Sequence, residues 1–267
     1  MTADAFEMKM LRADGHVVRV GRRRGAGEGP PLLLFNGIGA NIELFEPLAR
    51  RLPGREVITF DIPGVGHSLL PALPYRLGGI ARLAAGILDH YGHERCDALG
   101  VSWGGAAAQQ FARSQPARCR RLILAATCAG MAMVPATPNI LWMMATPRRY
   151  IDPAYAQRFA GTLYGGDFRA DPQLAAGLHQ HVRWQSRMGY YLQIAAVAGW
   201  TSIHWLHALE QPTLVMHGTD DPLVPPANAH LMHALIPRSE LMLLDCGHMF
   251  LLTRAEACAR AIHDFLH

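Results

Sequence analysis

The sequence has no apolar run long enough to span a bilayer. Its first fifteen residues (MTADAFEMKMLRADG) contain early acids and no apolar stretch, so they do not resemble a secretory signal. No basic stripe with interleaved aromatics is present, which argues against a nucleic-acid partner. The only dense basic cluster, 22–24 (RRR), is interpreted as a solvated loop rather than a site for an acidic surface. These absences predict a cytoplasmic protein without a transmembrane segment.

Cysteine is scarce, and its spacing carries no pattern. The five cysteines are scattered, at Cys96, Cys119, Cys128, Cys246 and Cys258. An odd number without paired spacing predicts free thiols in a reducing compartment. No cysteine or histidine spacing suggests zinc. We therefore expect neither a metal nor a cofactor.

Apolar residues make up 50% of the 267 residues and charged residues only 17%, which predicts one large domain with a sizeable core. Residues 5–20 read as a hairpin with a turn at 13–15. Short continuous apolar runs, typical of strands buried on both faces of a parallel sheet, occur at 31–35, 56–60, 95–99, 122–127, 212–216 and 240–244. Helices are predicted at 45–52, 77–91, 105–114, 227–235 and 254–266. The alternation predicts an α/β fold, with a mostly parallel central sheet flanked by helices.

The alternation stops between 128 and 208, where no strand is evident. This stretch is too long for a loop between adjacent elements. We predict a helical cap at 128–208, inserted into a core formed by 1–127 and 209–267. The methionines and aromatics of the cap either form its own core or line an apolar substrate pocket. The pocket candidates are Trp142, Met143, Met144, Tyr190, Tyr191, Trp200 and Trp205.

A Gly-x-Ser-x-Gly motif, 100–104 (GVSWG), lies between a predicted strand and a predicted helix. In this context it is the nucleophile elbow of the α/β-hydrolases. The serine occupies a sharp, strained turn, and side chains two residues before or after it would collide. Glycine tolerates that close approach because it has no Cβ. The motif predicts Ser102 as a nucleophile exposed above the sheet edge.

Ser102, Asp221 and His248 follow predicted strands in the order in which α/β-hydrolases present serine, acid and base. The ends of parallel strands converge on one edge, so the three side chains can meet there. His248 would accept the serine proton, and Asp221 would hold the imidazole in the correct tautomer. The main-chain N–H groups of Ile38, in the glycine-rich turn after 31–35, and Trp103 would form an oxyanion hole.

Each assignment has a rival. Asp220 adjoins Asp221, but Pro225 lies four residues after Asp221, which matches the Gly-x-x-Asp loop of the hydrolases. His217 lies near a strand end and is interpreted as a hydrogen-bonded core or near-site residue. His67 lies in a glycine- and proline-rich loop.

Three other residues are also set aside. His204 and His207 fall within the predicted cap, and Asp61 precedes a Pro-Gly pair that suggests loop bracing. An aspartate nucleophile is disfavoured because residue 102 is serine.

Several motifs together resemble the intracellular depolymerases of medium-chain-length polyhydroxyalkanoates, over nearly the whole chain. In the core they are 35–41 (FNGIGAN), 61–66 (DIPGVG), 100–105 (GVSWGG) and 109–112 (QQFA). In the cap they are 141–145 (LWMMA), 147–151 (PRRYI) and 200–207 (WTSIHWLH), which are far more specific than the elbow. Asn36 replaces the histidine that many hydrolases carry, as it does in this family.

The resemblance implies the α/β-hydrolase fold, the triad of Ser102, Asp221 and His248, and hydrolysis of polyesters of 3-hydroxy acids on storage granules. Two other functions stay open on the residues alone. One is a general esterase, thioesterase or carbon–carbon bond hydrolase using the same triad. The other is a non-catalytic granule-binding or receptor-like protein of the same fold.

Overall fold

The computed structural model describes residues 5–27, 29–171, 173–181, 184 and 186–267, with the backbone alone described at 178–181. A single eight-stranded sheet runs in the order β1-β2-β4-β3-β5-β6-β7-β8. The strands are β1 (Glu7–Ala13), β2 (His16–Arg23), β3 (Leu32–Phe35), β4 (Val57–Phe60), β5 (Cys96–Val101), β6 (Cys119–Ala125), β7 (Thr213–Gly218) and β8 (Ser239–Leu244). β1 pairs antiparallel with β2, and β2 with β4; all other pairings are parallel. The predicted hairpin and the mostly parallel sheet are confirmed.

Helices cover both faces of the sheet. They are α1 (Glu46–Ala49), α2 (Leu77–His90), α3 (Trp103–Ser114), α4 (Pro138–Met144), α5 (Arg148–Ile151), α6 (Pro153–Tyr164), α7 (Gly166–Ala170), α8 (Leu174–His181), α9 (Arg187–Val197), α10 (Ala227–Leu235), α11 (Phe250–Thr253) and α12 (Ala255–Leu266). Two predicted helices differ in detail. The one at 45–52 is a 3-10 turn, Ile42–Phe45, followed by the short α1, and the last one is preceded by α11.

Alternate residues of the inner strands pack into two separate cores, because successive side chains of a strand point to opposite faces of the sheet. Leu33 and Phe35 pack with α2, α3 and α10 on one face. Leu32 and Leu34 pack with α1, α11 and α12 on the other. This two-sided burial explains why the run LLLF is apolar at every position rather than at alternate ones.

The segment 128–208, termed the insertion, contains α4 to α9 and no strand among its described residues. It has a small apolar core of its own, to which Ile140, Leu163 and Phe168 contribute, and Leu223 of the loop after β7 joins that core. All five cysteines are free. None of the described helices is both long and apolar enough to cross a membrane.

Candidate active site

Ser102 lies in a strained turn between β5 and α3, with φ 55° and ψ −119°. A non-glycine residue at positive φ is held there only by its surroundings. Its N–H donates to the Ala125 carbonyl at 2.9 Å. Its own carbonyl accepts from the Gly105 N–H at 2.9 Å and from the Thr127 hydroxyl at 2.7 Å. Strand β6 and the first turn of α3 therefore fix the backbone of the serine.

The two flanking glycines leave no room for a side chain. A Cβ at Gly100 would lie 2.2 Å from the Gly104 carbonyl oxygen, and one at Gly104 would lie 2.1 Å from the Phe35 carbonyl oxygen. Both contacts are with backbone, which cannot move without disrupting β3 or α3. The sequence predicts that side chains two residues before and after Ser102 would collide, and backbone atoms on both sides of Ser102 account for that collision.

Asp221 and His248 are brought together by the loops that follow β7 and β8. Oδ2 of Asp221 lies 2.7 Å from Nδ1 of His248, and both side chains are buried. Oδ1 of Asp221 accepts the N–H groups of Leu223 and Val224, each at 2.9 Å. A proton on Nδ1 of His248, facing the carboxylate, leaves Nε2 as the basic nitrogen.

The surroundings of Asp221 keep it ionised. Burial alone would raise the pKa of Asp221, but the adjacent His248 and the hydrogen bonds from His248 and His217 lower it to about 2. A permanently charged carboxylate beside the imidazole stabilises a positive charge on the ring.

His217 is fully buried and approaches the same carboxylate oxygen as His248. Its Nε2 lies 2.8 Å from the Val224 carbonyl oxygen and 3.4 Å from Oδ2 of Asp221. It therefore braces the loop that carries Asp221.

The remaining rivals have other partners. Asp220 is exposed, accepts from the Gly166 N–H at 2.7 Å and pairs with Arg169 at 3.0 Å. Asp61 is buried and pairs with Nε of Arg19 at 2.7 Å, which agrees with a bracing role for its loop. His67, His204 and His207 are exposed.

Ser102 and His248 line one cavity of about 80 Å³. Its walls are mostly apolar side chains of the core: Leu44, Phe45, Val101, Leu223, Met249, Leu251 and Leu252. The insertion contributes Met144, Arg149, Tyr150 and Tyr164. The insertion therefore covers the end of the sheet at which Ser102 and His248 line the cavity.

The two candidate oxyanion donors flank the serine. Ile38 lines the cavity in the turn after β3, and Trp103 is the first residue of α3, where an N–H has no intrahelical acceptor. The insertion holds both in place. The Tyr150 hydroxyl donates to the Ile38 carbonyl at 2.6 Å, and the carbonyl of Gln193 accepts from the Trp103 indole at 2.8 Å. Oε1 of Gln193 also accepts from the Gly39 N–H at 2.8 Å.

The insertion is also joined to the loop that carries the histidine. The His248 N–H donates to the Tyr164 carbonyl at 2.7 Å. A Cβ on Gly247 would lie 2.0 Å from that same carbonyl oxygen, and a Cβ on Gly166 would lie 2.0 Å from the Gly247 nitrogen. The two chain segments meet backbone to backbone.

Of the seven pocket candidates, Met144 alone lines this cavity. Met143 is buried in the core of the insertion, and Tyr190 is buried with its hydroxyl donating to the Met144 carbonyl at 2.6 Å. Trp142 and Tyr191 are exposed, Trp142 to 78%. Because α4 places one side in the core and another in solvent, only part of the run LWMMA reaches the cavity.

Trp200 and Trp205 lie together away from the cavity. Their ring centroids are 6.0 Å apart in an edge-to-face arrangement, and the Trp200 indole donates to Gln110 of α3 at 2.9 Å. This pair fastens the end of the insertion to α3.

Sequence reasoning missed the polar residues of the insertion, namely Arg149, Tyr150, Tyr164 and Gln193. The motif 147–151 carried the resemblance, but nothing in it distinguishes a buried arginine from an exposed one. The apolar contributions of Leu223 and Leu252 come from loops and α11, where no periodicity marks a lining face.

Comparison with known proteins assigns the family. Residues 30–255 match the family model described as the alpha/beta hydrolase fold. The poly(3-hydroxyalkanoate) depolymerase of Ectopseudomonas oleovorans is 52% identical over 262 residues, covering 98% of this chain and 93% of that protein. The 2-hydroxymuconate semialdehyde hydrolase of Pseudomonas sp. strain CF600 is 27% identical, covering 90% and 88% of the two chains.

The fold is shared with solved structures at lower identity. The enol-lactonase from Burkholderia xenovorans LB400 superposes with a TM-score of 0.83 at 22% identity, covering 97% of this chain and 99% of that one. The eight-stranded sheet, the strained serine turn and these matches all indicate the same fold. The chain belongs to the α/β-hydrolase fold family and, within it, to the family of the poly(3-hydroxyalkanoate) depolymerases.

Proposed function

We propose that the protein is a serine hydrolase that cleaves the ester bonds of medium-chain-length poly(3-hydroxyalkanoate), releasing 3-hydroxy acid oligomers or monomers. One observation carries this function: Ser102, at the strained elbow, shares a cavity with His248, whose Nδ1 is hydrogen-bonded to the buried Asp221. The relative of 52% identity supports the substrate class, since it is named as a poly(3-hydroxyalkanoate) depolymerase.

In the first half of the reaction, Oγ of Ser102 attacks the ester carbonyl carbon while Nε2 of His248 takes the hydroxyl proton. The oxyanion accepts hydrogen bonds from the N–H groups of Ile38 and Trp103. When the tetrahedral intermediate collapses, the ester C–O bond breaks. The leaving alkoxide, which is the 3-hydroxyl of the next unit, takes the proton from His248.

In the second half, water attacks the acyl-serine and gives a proton to Nε2 of His248. Collapse of the second intermediate releases the acid and returns the proton to Ser102. The negative charge of Asp221 stabilises the imidazolium at both stages. No metal or cofactor is part of this mechanism.

The segment 128–208 acts as the cap over the cavity in this proposal. The bond from Tyr150 to Ile38 and the contacts of Gln193 with Trp103 and Gly39 support that role. A cavity of about 80 Å³ is smaller than the roughly 150 Å³ that encloses benzene. A medium-length alkyl group therefore requires side chains such as Met144, which is unbranched and adaptable, to move.

The polymer is stored in granules, so the enzyme must bind a granule surface in the cytoplasm. The exposed Trp142 and Leu141 on α4, next to the cavity-lining Met144, support contact on this side. The experiment compares hydrolysis of particles of a medium-chain polyester with particles of the short-chain polymer, with Ser102→Ala as the inactive control. We expect release of acid from the medium-chain particles only. Equal rates, or faster hydrolysis of the short-chain polymer, would contradict the substrate assignment while leaving the serine mechanism in place.

A further inference from the structure

Arg149 is a buried cation whose neighbours are neutral. Only 4% of the residue is exposed. Its Nη1 donates to the Tyr190 hydroxyl at 2.9 Å, and its guanidinium carbon lies 4.5 Å from the centroid of the Tyr150 ring. The Tyr164 hydroxyl also faces it. None of the ion pairs in the described part of the chain includes Arg149. Guanidinium stays protonated, so a full positive charge is buried without a counter-ion among the residues that the structure describes.

Two other buried arginines of this protein, Arg19 and Arg55, are each paired with a carboxylate. Arg19 pairs with Asp61 at 2.7 Å and with Glu43 at 2.8 Å. Arg55 pairs with Asp97 at 3.1 Å. In these positions the fold supplies a carboxylate, as buried charges require. At Arg149 it supplies three phenols.

The position of Arg149 indicates where a counter-ion would bind. Arg149 lines the same cavity as Ser102 and His248, and most of the other wall residues are apolar. In such an enclosure a charge-assisted pair is stronger than in water because solvent screens it less. A carboxylate inside the cavity would provide the counter-ion that none of the described side chains provides.

We propose that Arg149 is a subsite for the carboxylate of a 3-hydroxy acid unit, that is, for the free carboxyl end of a polyester chain or oligomer. The assignment rests on the proposed function, since that substrate carries one carboxylate per chain, at its end. With the chain end held at Arg149, Ser102 attacks an ester close to that end. The enzyme then favours acid-terminated chains over the same chains capped as esters.

The decisive measurement uses the dimer of 3-hydroxyoctanoic acid, as the free acid and as its methyl ester. We expect wild-type kcat/KM to favour the free acid by roughly ten- to a hundredfold, the range for a hydrogen bond to a charged group. Arg149→Met should bring the ratio close to one, and Arg149→Lys should leave it intermediate, because an ammonium cannot form the bidentate pair. Arg148→Met is the matched control. Arg148 is exposed and pairs with Asp152 at 3.2 Å, outside the cavity, so the wild-type ratio should be retained.

The wild-type ratio alone decides the matter if the Arg149 variants fail to fold. A ratio near one in the wild type, or an unchanged ratio in a folded Arg149→Met, would overturn the subsite. A second arm compares octanoate and octanol as competitive inhibitors of p-nitrophenyl octanoate hydrolysis. We expect octanoate to bind at least tenfold more tightly, and equal inhibition would count against Arg149. If the dimer and the polymer are not hydrolysed while simple esters are, the proposed substrate fails, and the inhibitor arm still tests the subsite.

Discussion

Asp221→Asn tests the candidate triad at its most constrained atom. Oδ1 of Asp221 is held by the N–H groups of Leu223 and Val224, which require an acceptor. An asparagine keeps its carbonyl oxygen on that side, so its NH₂ group must face Nδ1 of His248, where Oδ2 lies 2.7 Å away in the native chain. Nδ1 then becomes the acceptor, and the ring proton moves to Nε2. A protonated Nε2 cannot take the proton of Ser102.

The loss is expected to be large. In the serine-protease template the same exchange lowers kcat about 10⁴-fold, which corresponds to roughly 5 kcal/mol of transition-state stabilisation. The assay is kcat/KM on p-nitrophenyl octanoate, with circular dichroism and thermal melting to verify the fold.

Asp220→Asn is the matched control on the adjacent residue. Its carboxylate is exposed and paired with Arg169, an interaction worth about 0–1 kcal/mol. We expect activity within about fivefold of wild type by that figure. A milder effect of Asp221→Asn than of Asp220→Asn would refute the assignment of the acid and the tautomer argument built on it.

Three further outcomes follow from the geometry of the site. Ser102→Ala and Ser102→Gly should both lose fluorophosphonate labelling. The glycine variant should melt a few degrees higher than the alanine variant, since glycine relieves about 1–3 kcal/mol of strain at positive φ. Identical melting temperatures would argue against backbone strain at Ser102. In urea titrations, Gly104→Ala should lower the unfolding free energy by about 3 kcal/mol or more, because the new Cβ would meet the Phe35 carbonyl. Gly78→Ala, whose Cβ would meet nothing within 4 Å, should be neutral or stabilising. Because the pKa of Asp221 is lowered to about 2 in the folded protein, its ionised form should stabilise the fold by roughly 2 kcal/mol above about pH 4, and this stabilisation should disappear as the pH falls to about 2. The unfolding free energy of Asp221→Asn should therefore depend less on pH over that interval. An equal pH dependence in the variant and the wild type would contradict this expectation.

The sequence predicts the sheet and the order of the candidate triad because both depend on local patterns. The run at 32–35 is apolar throughout because Leu32 and Leu33 point into different cores, and a one-dimensional pattern is enough to recognise that. The elbow is recognisable because Gly100 and Gly104 each approach backbone too closely for a Cβ. Burial on both faces of the sheet selects apolar residues, and close backbone contact selects glycine, so both constraints are visible in the sequence.

The cavity wall was harder to predict because it depends on how the insertion sits on the core. The apolar residues of α4 occupy several positions around the helix. Their pattern in the sequence does not predict that Met144 reaches the cavity while Trp142 faces solvent. The ordinary expectation for an arginine is an exposed side chain, and Arg149 departs from it because only 4% of the residue is exposed. Its burial against Tyr150 and Tyr190 arises from elements far apart in the chain, α5 and α9.

The backbone junction between the insertion and the histidine loop has a consequence for protein engineering. His248 takes part of its position from the Tyr164 carbonyl, and Gly166 and Gly247 allow that contact. A chimera that exchanged 128–208 for the equivalent segment of another hydrolase would therefore also change the support of the candidate base. Grafts intended to alter substrate range should carry the tripeptide Cys246 to His248 together with the new insertion, as one transplanted unit.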